Sequence, residues 1–261
     1  MESRTKDQIR VQVSLVISLI DDYTGRRITS SAVQIRVEGA EKPIYKKEGY
    51  YIFTNLPQKE VTLSVQTPEY QTIKKQISLQ ELKGREPLVK IRLQPGKCYS
   101  LLNGMTILTG KAEPFSILHA ASIQSSYFYR LLYDYKKEKQ ISIFNAAKID
   151  LEAKNFLIWQ RNSEEHEFFS IWTAKDASFE LFEIEESLEQ EYKKTATKIF
   201  PVFTAQADEK GSFFVAMGNL EGEEAKIIVE VLDEQKKEKR EIIKTVQIGK
   251  ENYLELDRDI R

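Results

Sequence analysis

The sequence predicts a mainly β protein, and three observations carry that expectation. Apolar residues recur with period two in Val11-x-Val13-x-Leu15-x-Ile17-x-Leu19, Val33-x-Ile35-x-Val37 and Val61-x-Leu63-x-Val65, the pattern of strands with one face on a core. The 13 Phe and 12 Tyr favour pleated, half-buried surfaces over helices. A charged turn ending in glycine also feeds an aromatic strand twice, at Lys47-Glu48-Gly49-Tyr50-Tyr51 and at Glu209-Lys210-Gly211-Ser212-Phe213. Glycine accepts a positive φ that a β-branched residue does not, so Gly49 and Gly211 are predicted to be the turn residues.

Length and charge narrow the function classes. A chain of 261 residues suits two domains of ordinary size, which the echoed turn favours. Lys and Arg (39) nearly cancel Asp and Glu (40), so no net field exists to hold nucleic acid. Cys98 is the only cysteine, which excludes an intrachain disulfide and a thiolate cluster. It is expected to be a half-buried hydrophobe beside Tyr99. The run from Val11 to Ile20 is broken by Gln12, Ser14 and Ser18 and followed by Asp21-Asp22, so it reads as a strand and not as a signal segment. No apolar stretch reaches the length of a membrane span. The expectation is a cytoplasmic protein with no membrane insertion.

In the first half, Asp21-Asp22-Tyr23-Thr24-Gly25 supplies turn chemistry after the first strand, and Glu38 to Pro43 breaks the second. Tyr51-x-Phe53, Ile73-x-x-x-Ile77-x-Leu79 and Val89-x-Ile91-x-Leu93 continue the series. Short strands about ten residues apart, with turns between them, indicate an antiparallel sandwich. Asp21-Asp22-x-Thr24-Gly25, Glu48-Gly49-x-Tyr51-x-Phe53-x-x-Leu56-Pro57, Tyr70 and Leu93-x-Pro95 together resemble a carboxypeptidase regulatory-like (transthyretin-like) domain over Arg10 to Pro95. The chain departs from that pattern at Glu69 and at Gln58-Lys59-Glu60, where glycine is usual. The resemblance implies a non-catalytic β-sandwich module that serves as a spacer, a stabiliser or a binding surface.

Gln94-Pro95-Gly96-Lys97 then breaks the chain, giving expected domains at 1–95 and 98–261. Asp208 to Val215, Ile227-x-Val229-x-Val231 and Val246-x-Ile248 repeat the closing part of the first domain. The fold class expected is therefore two antiparallel β-sandwich domains, the second elaborated by an insertion at about 124–207 with at most one or two short helices. Glu185 to Thr197 is the helix candidate, because Ile184, Leu188 and Tyr192 fall four residues apart and Lys193 and Lys194 come late, with a polar loop as the equal alternative.

Chemistry is sparse. His119 and His166 are the only histidines, and neither has another His or Cys at a ligand spacing. His119 reads as a satisfied strand-end residue and His166 as part of an acidic surface turn. There is no Gly-x-Ser-x-Gly and no phosphate-cradling glycine loop. No enzyme activity, metal or cofactor is expected. The informative stretch is Tyr127-Phe128-Tyr129-Arg130-Leu131-Leu132-Tyr133-Asp134-Tyr135, which as strand or as helix has more bulk than one buried face accepts. Tyr127, Phe128, Tyr129, Tyr133 and Tyr135 are therefore the candidate partner-binding residues; the competing reading buries the run under the rest of the insertion. The leading function is a non-catalytic structural or adaptor protein that binds other protein subunits, as an accessory component of a phage-tail-like or related multi-protein particle. The alternative is a glycan-binding module that stacks sugars on Trp159 or Trp172.

Overall fold

The computed structural model describes residues 12–256 apart from 31, 58, 83–85, 162, 164, 177, 179, 234 and 235. The described residues form strands, turns and loops, with no helix. The chain is mainly β, as its period-two patterning requires. It divides into two compact units, the first running up to Ile20 and then through Arg27–Thr67 and Thr72–Ile91. The second takes Asp21–Arg26, Pro68–Gln71 and everything from Arg92.

The strands of the first unit are β1 (Val13–Asp21), β2 (Gln34–Val37), β3 (Ile44–Lys46), β4 (Tyr50–Thr54), β5 (Glu60–Gln66), β6 (Ile73–Ser78) and β7 (Leu88–Leu93), of which β1 and β7 end in residues that belong to the second, Asp21 and Arg92–Leu93. One sheet has the order β3-β4-β1-β7 and the other β2-β5-β6. The alternation read from the sequence sets which side chains go inward: Leu15, Ile17 and Leu19 of β1, Phe53 of β4, and Val61, Leu63 and Val65 of β5 are all buried. Gly49 has φ 84° between β3 and β4 and donates its N–H to the carbonyl of Lys46.

The second unit contains a two-layer sandwich made of β8 (Thr106–Lys111), β9 (Ile117–Ser122), β16 (Phe203–Gln206), β17 (Ser212–Met217), β18 (Glu224–Asp233), β19 (Glu238–Gln247) and β20 (Glu251–Glu255). Its sheets are β16-β9-β18-β19 and β17-β8-β20, with β20 parallel to β8. Leu108, Phe213, Val215 and Leu254 from one layer meet Leu118, Ile227, Val229 and Val246 from the other in a single buried core. Gly211 has φ 73° in the turn that opens β17.

Between β9 and β16 the chain makes a separate body from β10 (Arg130–Leu131), β11 (Gln140–Phe144), β12 (Asn155–Gln160), β13 (His166–Ala174), β14 (Leu181–Ile184) and β15 (Thr197–Pro201). These run in the order β10-β11-β14-β13-β12-β15, each antiparallel to its neighbour. A further bridge joins Tyr129 to Ile199, with N–H to carbonyl bonds of 2.7 and 2.9 Å, so the last strand meets the first and the sheet closes. Leu131, Ile143, Phe156, Ile158, Phe169, Ile171, Phe182, Ile184 and Ile199 fill the interior from all six strands. The result is a small barrel packed with side chains, as a closed sheet of this size must be.

Of the two readings of Glu185 to Thr197, helix or polar loop, the structure has the loop. Acceptors from elsewhere take the N–H groups that a helix would use internally. Glu167 binds the N–H groups of Glu189 and Gln190, Tyr135 Oη that of Leu188, and Asp134 that of Lys194. Leu188 and Tyr192 are buried, but as a plug for the barrel interior and not as a helical stripe. Cys98 is exposed, because the turn after Gly96 directs only Tyr99 inward.

Candidate functional site

The aromatic run from Tyr127 to Tyr135 does not act as one surface. It crosses the barrel wall, so its members take different environments. Tyr129 and Tyr135 are buried in the barrel interior, and Phe128 is half-buried between Phe200 and the Arg130 and Lys198 cations. Tyr127 and Tyr133 remain exposed, at 40% and 67%. Trp159 is half-buried on the outside of β12, and Trp172 is exposed where a bulge between Ile171 and Thr173 throws it outward.

The outside of the barrel has two unlike walls. On one, Leu157, Phe200, Phe168 and Trp159 pack against Ala121 and Ile228 of the sandwich, fixing the barrel to β9 and β18. On the other, built from β10, β11, β14 and the end of β13, Arg130 stands opposite Phe144 and Ser142 opposite Leu181. Phe144 and Trp172 are both about half exposed there, and Tyr133 follows in the β10–β11 connection. Phe144 is not among the candidate residues read from the sequence. Its even position, out of phase with the buried Ile141 and Ile143, was the available signal.

A second feature is a cavity of about 140 Å³ in the second unit, lined by Asp22, Arg92, Lys154, Tyr127, Tyr129 and Asn219 among others. Asp22 and Arg92 side chains are each only 4% exposed and stand 3.6 Å apart, and Lys154 Nζ lies 3.2 Å from the same carboxylate oxygen. Arg92 also donates to the carbonyls of Glu152 and Asp150, at 2.7 and 2.5 Å. The opposite charges are therefore paired with one another, as buried charged groups need to be. Burial first, and then the 2.8 Å bond to Tyr127 Oη, push the Tyr129 phenol well above its ordinary range. It stays protonated at neutral pH and offers no general base. The neighbouring Asp21 accepts from Tyr99 Oη at 2.6 Å and Tyr70 Oη at 3.1 Å, so the tandem aspartates are both structural acceptors. Arg92 and Lys154 are not among the residues singled out from the sequence, since neither carries a local sign of this contact.

Both histidines lie on the seam between barrel and sandwich. Thr204, His119, Glu230 and Glu241 form one row across β16, β9, β18 and β19. His119 Nδ1 is 3.0 Å from Glu230, and His166 Nε2 is 2.7 Å from Glu241. His166 thus begins a strand and binds across the seam, in place of the expected surface turn. Lys239 Nζ reaches the other oxygen of Glu230 at 2.5 Å, a contact set by charge more than by hydrogen-bond alignment. Burial works to raise the Glu230 pKa, but the bonds from His119 and Lys239 outweigh it and hold the carboxyl below its ordinary range.

A carboxylate lowered in this way adds stability that is present above its unfolded pKa, about 4.3, and lost as pH falls through its folded value. Glu230→Gln is therefore expected to flatten the acid limb of a denaturant-midpoint profile taken from pH 3 to 7. A limb as steep as that of the unaltered chain would show that Glu230 contributes none of it.

Among the described residues no group of three or more His, Cys, Asp or Glu side chains is placed to hold a metal ion, and no helix is long and apolar enough to cross a membrane. No protein-family model matches the chain, and neither the curated proteins nor the solved structures contain a significant match.

Proposed function

We propose that this chain is a non-catalytic assembly protein whose barrel takes a partner subunit on its outer wall. One observation carries the reading. The barrel uses the wall of β12 and β15 to fix itself to the sandwich, while the wall of β10, β11 and β14 leaves Tyr133, Phe144 and Trp172 in solvent. Exposed aromatics on a wall that also carries an arginine, here Arg130, are the residue types that interface centres favour. The mutual satisfaction of Asp22, Arg92 and Lys154 supports the non-catalytic half of the reading, since a reacting group needs a partner left open for substrate. An accessory place in a phage-tail-like or similar multi-protein particle is in keeping with such a role.

The test is co-purification of the tagged chain with its native assembly. Tyr133→Ala, Phe144→Ala and Trp172→Ala combined should abolish association while moving stability little, since exposed positions usually contribute within about 0.5 kcal/mol each. Association that survives all three substitutions removes this wall from consideration. The exposure of Trp172 also favours the glycan-binding reading, with Trp159 a weaker platform because it is half-buried. A glycan array probed with the unaltered chain and with Trp172→Ala separates the two.

A further inference from the structure

The longest open edge in the second unit is that of β19, ten residues that pair with β18 on one side and with no described strand on the other. In an antiparallel pair the backbone groups of successive residues alternate between the partner and the open side. The phase is fixed at the end of the strand. Gln247 donates its N–H to Asn252 Oδ1 at 2.8 Å and accepts from Asn252 Nδ2 at 2.9 Å, while Ile248 turns its N–H to the carbonyl of Glu223. Odd-numbered residues therefore face outward, and Glu241, Ile243 and Thr245 present their N–H and C=O groups along the edge. Asn252 occupies the place of a neighbouring strand at Gln247 and ends the usable edge there. Ile243 is 48% exposed at its centre.

We propose that a second copy of this chain pairs along β19, antiparallel, with the two-fold axis at Ile243. Residues opposite each other must both face the shared edge, so a symmetric pairing has to be centred on a residue and not between two. Charge then selects which. Centring on Lys239, Arg240, Glu241 or Lys244 sets each against its own copy, and centring on Ile242 sets Arg240 against the partner's Lys244. Like charges directly opposite destabilise a ladder. Centring on Thr245 leaves only three residues before Asn252 intervenes. With Ile243 at the centre, Ile243 meets the partner's Ile243, Glu241 meets the partner's Thr245, Ile242 meets the partner's Lys244, and Arg240 meets the partner's Val246. No like charges then stand directly opposite. The charged residues that protect this edge from indiscriminate pairing also reject the slipped registers.

Sedimentation velocity on the full chain tests this, from about 1 to 100 µM, and a concentration-dependent dimer is expected. Thr245→Pro removes an N–H that points to the open edge and makes no bond to β18, so it should yield a monomer with the β spectrum unchanged. Thr245→Lys guards against a proline variant that fails to fold. It places an ammonium opposite the partner's Glu241 twice per dimer, and should tighten dimerisation by about 2- to 30-fold, the range for two opposite-charge cross-strand pairs. An unaltered chain that stays monomeric throughout overturns the proposal. So does a dimer whose affinity Thr245→Lys leaves unmoved.

Discussion

Arg92→Met is expected to destabilise the second unit by about 3–5 kcal/mol, the cost typical of removing one partner from a buried ion pair. Asp22, its side chain 4% exposed, would lose the Arg92 guanidinium and be left with Lys154 against its carboxylate. The carbonyls of Asp150 and Glu152 would also lose their donor. The penalty comes from what is left unpaired, so removing the second charge should recover part of it. Asp22→Asn in the Arg92→Met background is expected to raise the urea midpoint above that of Arg92→Met alone, although each substitution by itself lowers it. A loss below about 1 kcal/mol for Arg92→Met, or a double variant that is simply the sum of the two, would show the pair to be solvated and the cluster dispensable.

This cluster also marks where the sequence stops being legible. The strands of the first unit were readable because their chemistry is local: Val61, Leu63 and Val65 alternate with Thr62 and Ser64, and that alternation decides which face is buried. Gly49 and Gly211 were readable for the same reason, since a charged turn before an aromatic strand needs a positive φ within four residues, and both have one. Barrel closure is a long-range property. It rests on Tyr129 meeting Ile199, seventy residues away, and neither residue carries a local sign of that contact. Once the barrel closes, the aromatic run has to divide, which is why Tyr129 and Tyr135 are buried while Tyr133 is not. The loop from Glu185 to Thr197 shows the opposite failure. Its helical spacing was present, but Glu167 and Asp134 lie elsewhere in the chain and compete for its N–H groups. Local propensity lost to acceptors that only the tertiary fold brings near.

The other large effect is expected at Gly211. A Cβ built there would lie 2.1 Å from the carbonyl oxygen of Ala112, and φ is 73°, so a side chain meets both a backbone clash and a left-handed conformation. The same carbonyl region cannot retreat cheaply, because the N–H of Ala112 is bonded to the carbonyl of Gly211 at 2.9 Å and Ala112 itself is buried in the sandwich core. At Gly49 the nearest atoms are the flexible Arg27 Cδ at 2.9 Å and the Ile28 carbonyl at 3.1 Å, with φ 84°. Gly49→Val should therefore lose mainly the conformational term, about 1–2 kcal/mol. Gly211→Val adds an overpacking cost of about 1–3 kcal/mol, so its loss should be about 2–5 kcal/mol. Because the offending atom is Cβ, Gly211→Ala is expected to lose most of what Gly211→Val loses, in urea midpoints measured side by side. Gly211→Ala at the midpoint of the unaltered chain would mean that the turn relaxes freely, and that Phe213 and Val215 are seated in the core without its help.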